Sequence, residues 1–492
     1  MAPKGSRLKR ETTGLLPFAY EEVQGETRIT SYAGAPLLVE TYRATGAAEA
    51  ARRCVKTRPR RRDRGLSEEE LVESFVVLLA SGGEHNDDFE ALRGDGGLAQ
   101  MLGHALPSPS RAKEFLYGFH DDGKDEQTAQ RRLFQPSFVP EETGPLAGLR
   151  EAVRATVSAA HKQQTGDRAT IDLDATLVVS EKKEAATTYT GESGYQPVIA
   201  LWAEKDVILA DEFRDGNVPA GHEPLRCLKR AVDAVPEGIG RLYLRADSAA
   251  YEHALMAWCN EKGEQGDPRV IYAISADMSP QLRGEIGKLP SQAWQPFDSD
   301  GKSLRQWAEV AYVPSWPYER KGERVDRYLV IRVEPRQGEM FCDGTEVKHF
   351  CVVTNDWGRE GAAIIRWHRG KCGTVEKAHD VLKNELGAGV MPCGRFGANA
   401  AWFRLNVLTY NLLSVLKRTA LPAWLHTARP KRLRFQILRR AGEIIHHARK
   451  LLVRVTGPLG EVSGVLSEAR RRIALLAELV RNTGPPVASP VA

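Results

Sequence analysis

The chain has 492 residues, of which 42% are hydrophobic and 27% charged, with 69 Lys and Arg against 64 Asp and Glu. That length exceeds one ordinary core and implies a globular protein of about two to four domains. No stretch nears the ~20 apolar residues that cross a bilayer, the basic N-terminus lacks the apolar core of a secretory signal, and no C-x-x-C pair occurs among the seven cysteines. Membrane spans, a disulfide framework and a structural zinc site are therefore not expected.

Residues 1–65 are polar and arginine-rich, ending in RRCVKTRPRRRDR, and read as a basic, poorly ordered arm. Residues 66–165 read as a helical DNA-binding module. In SEEELVESFVVLLASGG, Ser67 with Glu70 three residues on predicts a capping box, and Ser108 or Ser110 predicts the cap of a later helix. From 166 to 277 strands dominate. ATIDLDATLVV, YQPVIALWAE and DVILADEF come first, then helix EPLRCLKRAVDAV, strand GRLYLRAD, helix SAAYEHALMAWCNEKG and strand PRVIYAISAD. This is the element order of a ribonuclease H-like fold. Residues 278–360 read as strands of a separate small sheet, rich in Trp and Tyr. Residues 361–415 resume the catalytic domain with helices TVEKAHDVLKNEL and ANAAWFRLNVLTYNLLSVLK. Residues 416–482 read as basic C-terminal helices, and 483–492 as a disordered tail. The expected class is α/β: a ribonuclease H-like mixed sheet with an inserted small β domain, flanked by helical regions at both ends.

Chemistry concentrates in three places. In TIDLDATLVV, Asp172, Asp174 and Thr176 share one face of the strand, and alternation cannot separate the two aspartates. Asp247 closes LYLRAD at the edge where open α/β sheets gather ligands; either Asp247 or Ser248 can cap the helix that follows. Glu376 lies on TVEKAHDVLKNEL, with His379, Asp380 and Lys383 on the same polar face. Two strand carboxylates and one helix carboxylate form a donor set for two magnesium ions, which take oxygen ligands and keep several waters. Two arginine-rich blocks, 52–64 and 429–455, suit phosphate neutralisation.

Four stretches carry a family likeness: IDLDAT (171–176), LRADSAAY (244–251), RGKCGTVEKAHDVLKNEL and FGANAAWFRLNVLTYNLL (396–413), with RDGNVPAG (214–221) as a weaker fifth. Together they resemble the group 1 type of DDE transposases of bacterial insertion sequences, whose ribonuclease H-like domain carries a β-strand insertion before the glutamate. The resemblance implies that Asp174, Asp247 and Glu376 are catalytic and bind two magnesium ions, for which manganese can substitute. It implies Asp174 rather than Asp172, because Asp174 directly precedes the small residue and threonine of the motif. One position departs from the family: four residues before the glutamate, relatives have arginine where this chain has Cys372, which leaves Arg369 or Lys371 to contact phosphate.

The resemblance further implies cut-and-paste transposition at terminal inverted repeats through hairpin ends, with double-stranded DNA as partner. It implies a homodimer or larger synaptic complex in the bacterial cytoplasm. A hairpin needs a base held out of the stack, a role expected of Trp316, with Arg320 and Lys321 near it. Arg60, Arg61, Arg62, Arg432 and Arg434 are expected to contact DNA, and Lys383 to hold a phosphate. Two rival readings are a metal-dependent nuclease of the same fold without strand transfer, and a transposase-derived DNA-binding protein without catalysis.

Overall fold

In the computed structural model, Ser67, Asp95, Ser108, Asp121, Thr143 and Ser279 cap helix starts with their side chains. The structure describes residues 28–57, 65–263, 266–298, 303–315, 326–335, 341, 347–455, 457 and 461–482. After strand β1 (Ile29–Thr30) come α1 (Pro36–Ala44), α2 (Ala47–Cys54), α3 (Glu68–Ser81), α4 (Phe89–Arg93), α5 (Gly96–Leu102), α6 (Pro109–Tyr117), α7 (Asp122–Arg132) and α8 (Gly144–Gln163). The capping box of α3 is formed: the Glu70 amide donates to Ser67 Oγ at 3.2 Å and the Ser67 amide to the Glu70 carboxylate at 2.7 Å. Ser108, not Ser110, caps α6.

The sheet region follows: β2 (Arg168–Ala175), β3 (Val178–Val179), β4 (Ala186–Thr187), β5 (Ser193–Tyr195), β6 (Val198–Trp202), β7 (Val207–Glu212), α9 (Pro224–Ala234), β8 (Arg241–Ala246), α10 (His253–Asn260), β9 (Ile271–Ser275) and α11 (Pro280–Gly287). Next are β10 (Gln295–Pro296), β11 (Ser303–Val310), β12 (Arg327–Pro335) and β13 (Lys348–Thr354). The chain then runs through α12 (Gly361–Arg369), α13 (Val375–Asn384), α14 (Phe396–Thr419), α15 (Pro430–Leu433), β14 (Gly442–His447), β15 (Lys450–Val455) and α16 (Glu461–Asn482).

A nine-stranded sheet runs in the order β10-β11-β12-β13-β9-β8-β2-β6-β7. β8 is parallel to β2 and β9 to β8, whereas β6 is antiparallel to β2 and β7 to β6. This is the mixed α/β sheet expected from the ribonuclease H-like element order, with helices at both ends of the chain. Every residue of β6 and β7 is buried, because helices α8, α9 and α14 pack on β7. Helix α14 is buried on nearly all faces, which makes it the spine of the core. Its Asn411 also protects the sheet edge: Oδ1 accepts from the Ile208 amide at 2.7 Å and Nδ2 donates to the Ile208 carbonyl at 2.9 Å.

Three expectations are corrected. Residues 36–54 of the expected arm fold as α1 and α2, with Leu37, Leu38, Tyr42, Ala47 and Ala51 in the core. Small residues make this possible: a Cβ on Gly148 of α8 would stand 2.2 Å from the Cys54 carbonyl oxygen at the end of α2. The expected separate sheet of 278–360 is instead continuous with the main one. β13 pairs with β9 through Val352 with Ser275, Val353 with Ile274 and Thr354 with Ala273. Although the expected C-terminal helix returns as α16, the basic block 429–455 is helical only as far as Leu438. It then turns into the hairpin β14–β15 and joins β1, because Ile444, Leu451, Leu452 and Val453 favour a strand and Ala448 and Arg449 adopt left-handed φ values of 47° and 63° at the turn.

Candidate active site

The parallel register of β2 and β8 brings two of the predicted acids side by side. Ile171 lies opposite Leu244, Asp172 opposite Arg245, and Leu173 opposite Ala246. One step further, at the C-terminal ends of the two strands, come Asp174 and Asp247. Asp172 is fully buried and accepts from Arg245 Nε at 2.6 Å and Nη2 at 2.7 Å, with the Thr374 hydroxyl also donating to it. Both Asp172 oxygens are thus engaged within the fold, which distinguishes it from Asp174 on the same face. Arg245 Nη1 also donates to the Trp367 carbonyl at 2.9 Å. One guanidinium thus fastens the end of α12 to the sheet, and Thr374 fastens the start of α13.

Helix α13 packs against β2 and carries Glu376, exposed, in its first turn. Burial pushes the Asp174 carboxyl above its ordinary range; Lys371 opposes this, while the Asp247 and Glu376 charges add to it. Charges from residues 73 (174 to 247) and 202 (174 to 376) positions further along the chain thus reach Asp174. Lys371, itself buried, donates from Nζ to Asp174 Oδ1 at 3.0 Å. His379 Nε2 lies 3.6 Å from Asp174 Oδ2, and burial drives its pKa down to about 3, so the ring is neutral. The polar-face reading of His379 is corrected: it lies inside, at the back of the carboxylate. Burial likewise lowers the His368 pKa to about 4, and its neutral ring donates from Nε2 to the Ala246 carbonyl at 3.0 Å, one residue before Asp247.

Asp247 caps the short turn Ser248–Ala250, its Oδ1 accepting from the Ala249 amide at 3.1 Å, whereas α10 begins only at His253, with Glu252 and neither Asp247 nor Ser248 at its cap position. Cys372 is exposed; partial burial and the neighbouring Glu376, to which it is hydrogen-bonded, raise its thiol pKa. Lys371 is held on Asp174; the other residue expected to contact phosphate is Arg369. It lies over the Phe297 ring at 5.1 Å and lines an open cleft of about 510 Å³ together with Ser248 and His368. Lys383 Nζ donates to the Leu177 carbonyl at 3.2 Å and ties α13 to the chain leaving β2.

Among the described residues, no group of three or more His, Cys, Asp or Glu side chains is placed to hold a metal ion. The predicted donor set fits magnesium in chemistry, being all carboxylate oxygen, and in charge, since the repulsion felt by Asp174 is what a cation relieves. The geometry of a closed cage is not assembled.

Of the predicted DNA contacts, Arg60, Arg61, Arg62, Trp316, Arg320 and Lys321 lie outside the described residues. Arg432 is exposed, with its guanidinium 5.5 Å from the Trp424 ring. Arg434 is corrected. It donates to the carbonyls of Ala80 at 2.7 Å and Leu79 at 3.0 Å, and to that of Glu385, so it caps the C-terminus of α3 and is not free for phosphate. The sequence reading did not anticipate the Arg245–Asp172 clamp. Its signal was an arginine in LYLRAD that parallel pairing sets opposite an inward aspartate.

A cryo-electron microscopy structure of piggyBac transposase, a synaptic complex with hairpin DNA, matches over 94% of this chain and 81% of that chain, at 11% identity and a TM-score of 0.41. No curated protein matches the chain. The family model "Transposase DDE domain group 1" matches residues 21–475, nearly the whole sequence, and the chain therefore belongs to that transposase family.

Proposed function

We propose that this chain is an active cut-and-paste transposase that cleaves and joins DNA at the terminal inverted repeats of its own element, through hairpin ends. Asp174, Asp247 and Glu376 would hold two magnesium ions, or manganese in their place, in a dimer or larger synaptic complex on double-stranded DNA. The observation that supports this reading most is the register that sets Asp174 and Asp247 at the adjacent ends of β2 and β8, with Glu376 in the first turn of α13, which packs on β2. Bound there, divalent ions would supply Lewis-acid activation of the attacking oxygen and charge for the leaving oxygen. The protein's own share is positional. Arg245 and Thr374 fix the α12–α13 junction through Asp172. Lys371 holds Asp174, and His379 closes its rear against water. Arg369 faces the cleft as the phosphate contact that the family's arginine makes elsewhere, and Arg432, with the exposed basic residues Arg449, Lys450 and Arg454 of the β14–β15 hairpin, supplies sequence-independent phosphate contacts.

The test is a metal-dependent cleavage assay on duplexes carrying the inverted repeats that flank the gene, comparing wild type with Asp247→Asn. Cleavage by wild type alone, followed by joined products, supports the proposal. Cleavage without joining turns it into a nuclease, and binding without cleavage into a DNA-binding derivative.

A further inference from the structure

Helix α13 and the chain of β2 lie side by side and are tied at both ends. Just ahead of the helix the Thr374 hydroxyl donates to Asp172, and in its last turn Lys383 Nζ donates to the Leu177 carbonyl at 3.2 Å. Between these ties stands His379, facing Asp174. Its Nε2 lies 3.6 Å from Asp174 Oδ2, too far for a hydrogen bond, and neither ring nitrogen meets a partner among the described residues. The imidazole is 5% exposed, on the helix face that also carries the buried Val375, Ala378 and Leu382. A leucine would fill such a seat at less cost, because a buried donor without a partner forfeits its hydration. An imidazole in this place calls for an acceptor.

The oxygens that bear on the ring belong to one residue. Besides the carboxylate, the Asp174 backbone carbonyl acts on it, though outside hydrogen-bond geometry. A carbonyl and a carboxylate only accept, so the single proton of the neutral ring belongs on the nitrogen that faces Asp174. Asp174 then stands between two donors of different kinds. Lys371 grips Oδ1 at 3.0 Å with a full positive charge, which a divalent ion meets as repulsion. A neutral ring at Oδ2 orients the same carboxylate without repelling a cation, which is the work of a group behind a metal ligand. Because α13 is tied at both ends, the carboxylate and not the helix is what turns to close the bond.

We propose that His379 is a positioning residue of the metal site: its Nε2–H donates to Asp174 Oδ2 and holds that carboxylate in the orientation that binds a divalent ion. The proposal rests on the role given to Asp174 above. It goes beyond the exclusion of water, which a leucine would serve equally well. The test titrates the full-length protein with manganese alone and reads the free ion by electron paramagnetic resonance, beside a thermal melt. His379→Leu is expected to weaken manganese binding by about ten- to a hundredfold without lowering the melting temperature. His379→Gln, whose amide N–H reaches the place of Nε2, is expected to recover most of that loss. In cleavage assays the manganese concentration giving half-maximal rate should rise for His379→Leu by the same factor. His379→Met serves as the apolar replacement if the leucine protein does not fold. Three results overturn the proposal and leave His379 as packing: an apolar variant that binds manganese as tightly as wild type, equal losses in the apolar variant and His379→Gln, or a binding loss that follows a fall in melting temperature. Manganese binding that Asp174→Asn leaves unchanged overturns instead the metal-site reading on which the proposal stands.

Discussion

Where α8, β7, α9 and α14 meet, acids are outnumbered by arginines; at the ends of β2 and β8 the balance is reversed. In the first cluster Arg404 reaches Asp211 at 2.9 Å and Glu142 at 2.8 Å, Arg150 reaches Glu142 at 2.7 Å, Arg230 bridges Glu142 and Glu212, and Arg214 and Arg226 both hold Glu212 at 2.6 Å. In the second, Lys371 pairs with Asp174, which also lies under the negative charges of Asp247 and Glu376. The electrostatics differ accordingly. Burial alone would raise the Glu142 carboxyl, but Arg404, Arg230 and Arg150 override it and hold the pKa at about 2. Burial raises Asp174, and Lys371 does not cancel it. A closed cluster fastens the N-terminal helices to the sheet, whereas an open one keeps negative charge in surplus, which suits a site that awaits cations.

The comparison can be broken most directly at Arg404. Arg404→Met strands the buried Asp211, takes one of three arginines from Glu142, and should cost about 3–5 kcal/mol of stability, read by urea unfolding at neutral pH. A loss under about 1 kcal/mol would mean that the cluster behaves as a surface ion pair. In the open cluster the order of effects inverts. Glu376→Gln should leave the melting temperature in place, since the side chain is exposed, and lower cleavage roughly a thousandfold, about 4 kcal/mol of barrier. A melting point shifted as far as that of Arg404→Met would place Glu376 in the fold instead of the chemistry.

Acid sharpens the contrast. Glu142 has a folded pKa of about 2 against an ordinary 4.5. Its stabilisation is therefore present above the unfolded value and lost as the pH falls through the folded one, worth roughly 3 kcal/mol over that window. Asp174, raised, has the opposite sign, because protonation there favours the folded chain. Unfolding free energies of Glu142→Gln and wild type, followed from pH 6 down to 2, should converge at the acid end; parallel curves would contradict the pairing. The smallest effect is expected at Arg432. Replacing it with Gln should flatten the slope of log affinity against log salt by about one unit, measured on end-containing duplex, and an unchanged slope removes it from the DNA-facing surface.

Periodicity carried the elements that are locally complete. The α3 capping box, the strands β2, β6, β7, β8 and β9, and the glutamate helix α13 each have their pattern within about fifteen residues. Local pattern failed where a partner far along the chain decides the state. The alanines of α2 look polar and arm-like until α8 covers them. The hairpin β14–β15 reads as basic helix until β1 supplies a strand to pair with. Arg434 reads as a phosphate contact until the open end of α3 claims it.

Residue type and short spacing were enough to pick out Asp174, Asp247 and Glu376 as candidates, with their order along the chain, the strands and helix that carry them, and the family likeness. Tertiary contacts alone showed Asp172 clamped by Arg245, gave Lys371 to Asp174, and set RDGNVPAG against Asp247. Each depends on which neighbour a buried charge or a close-packed glycine meets across the sheet, and that neighbour comes from a part of the chain that no local spacing can indicate.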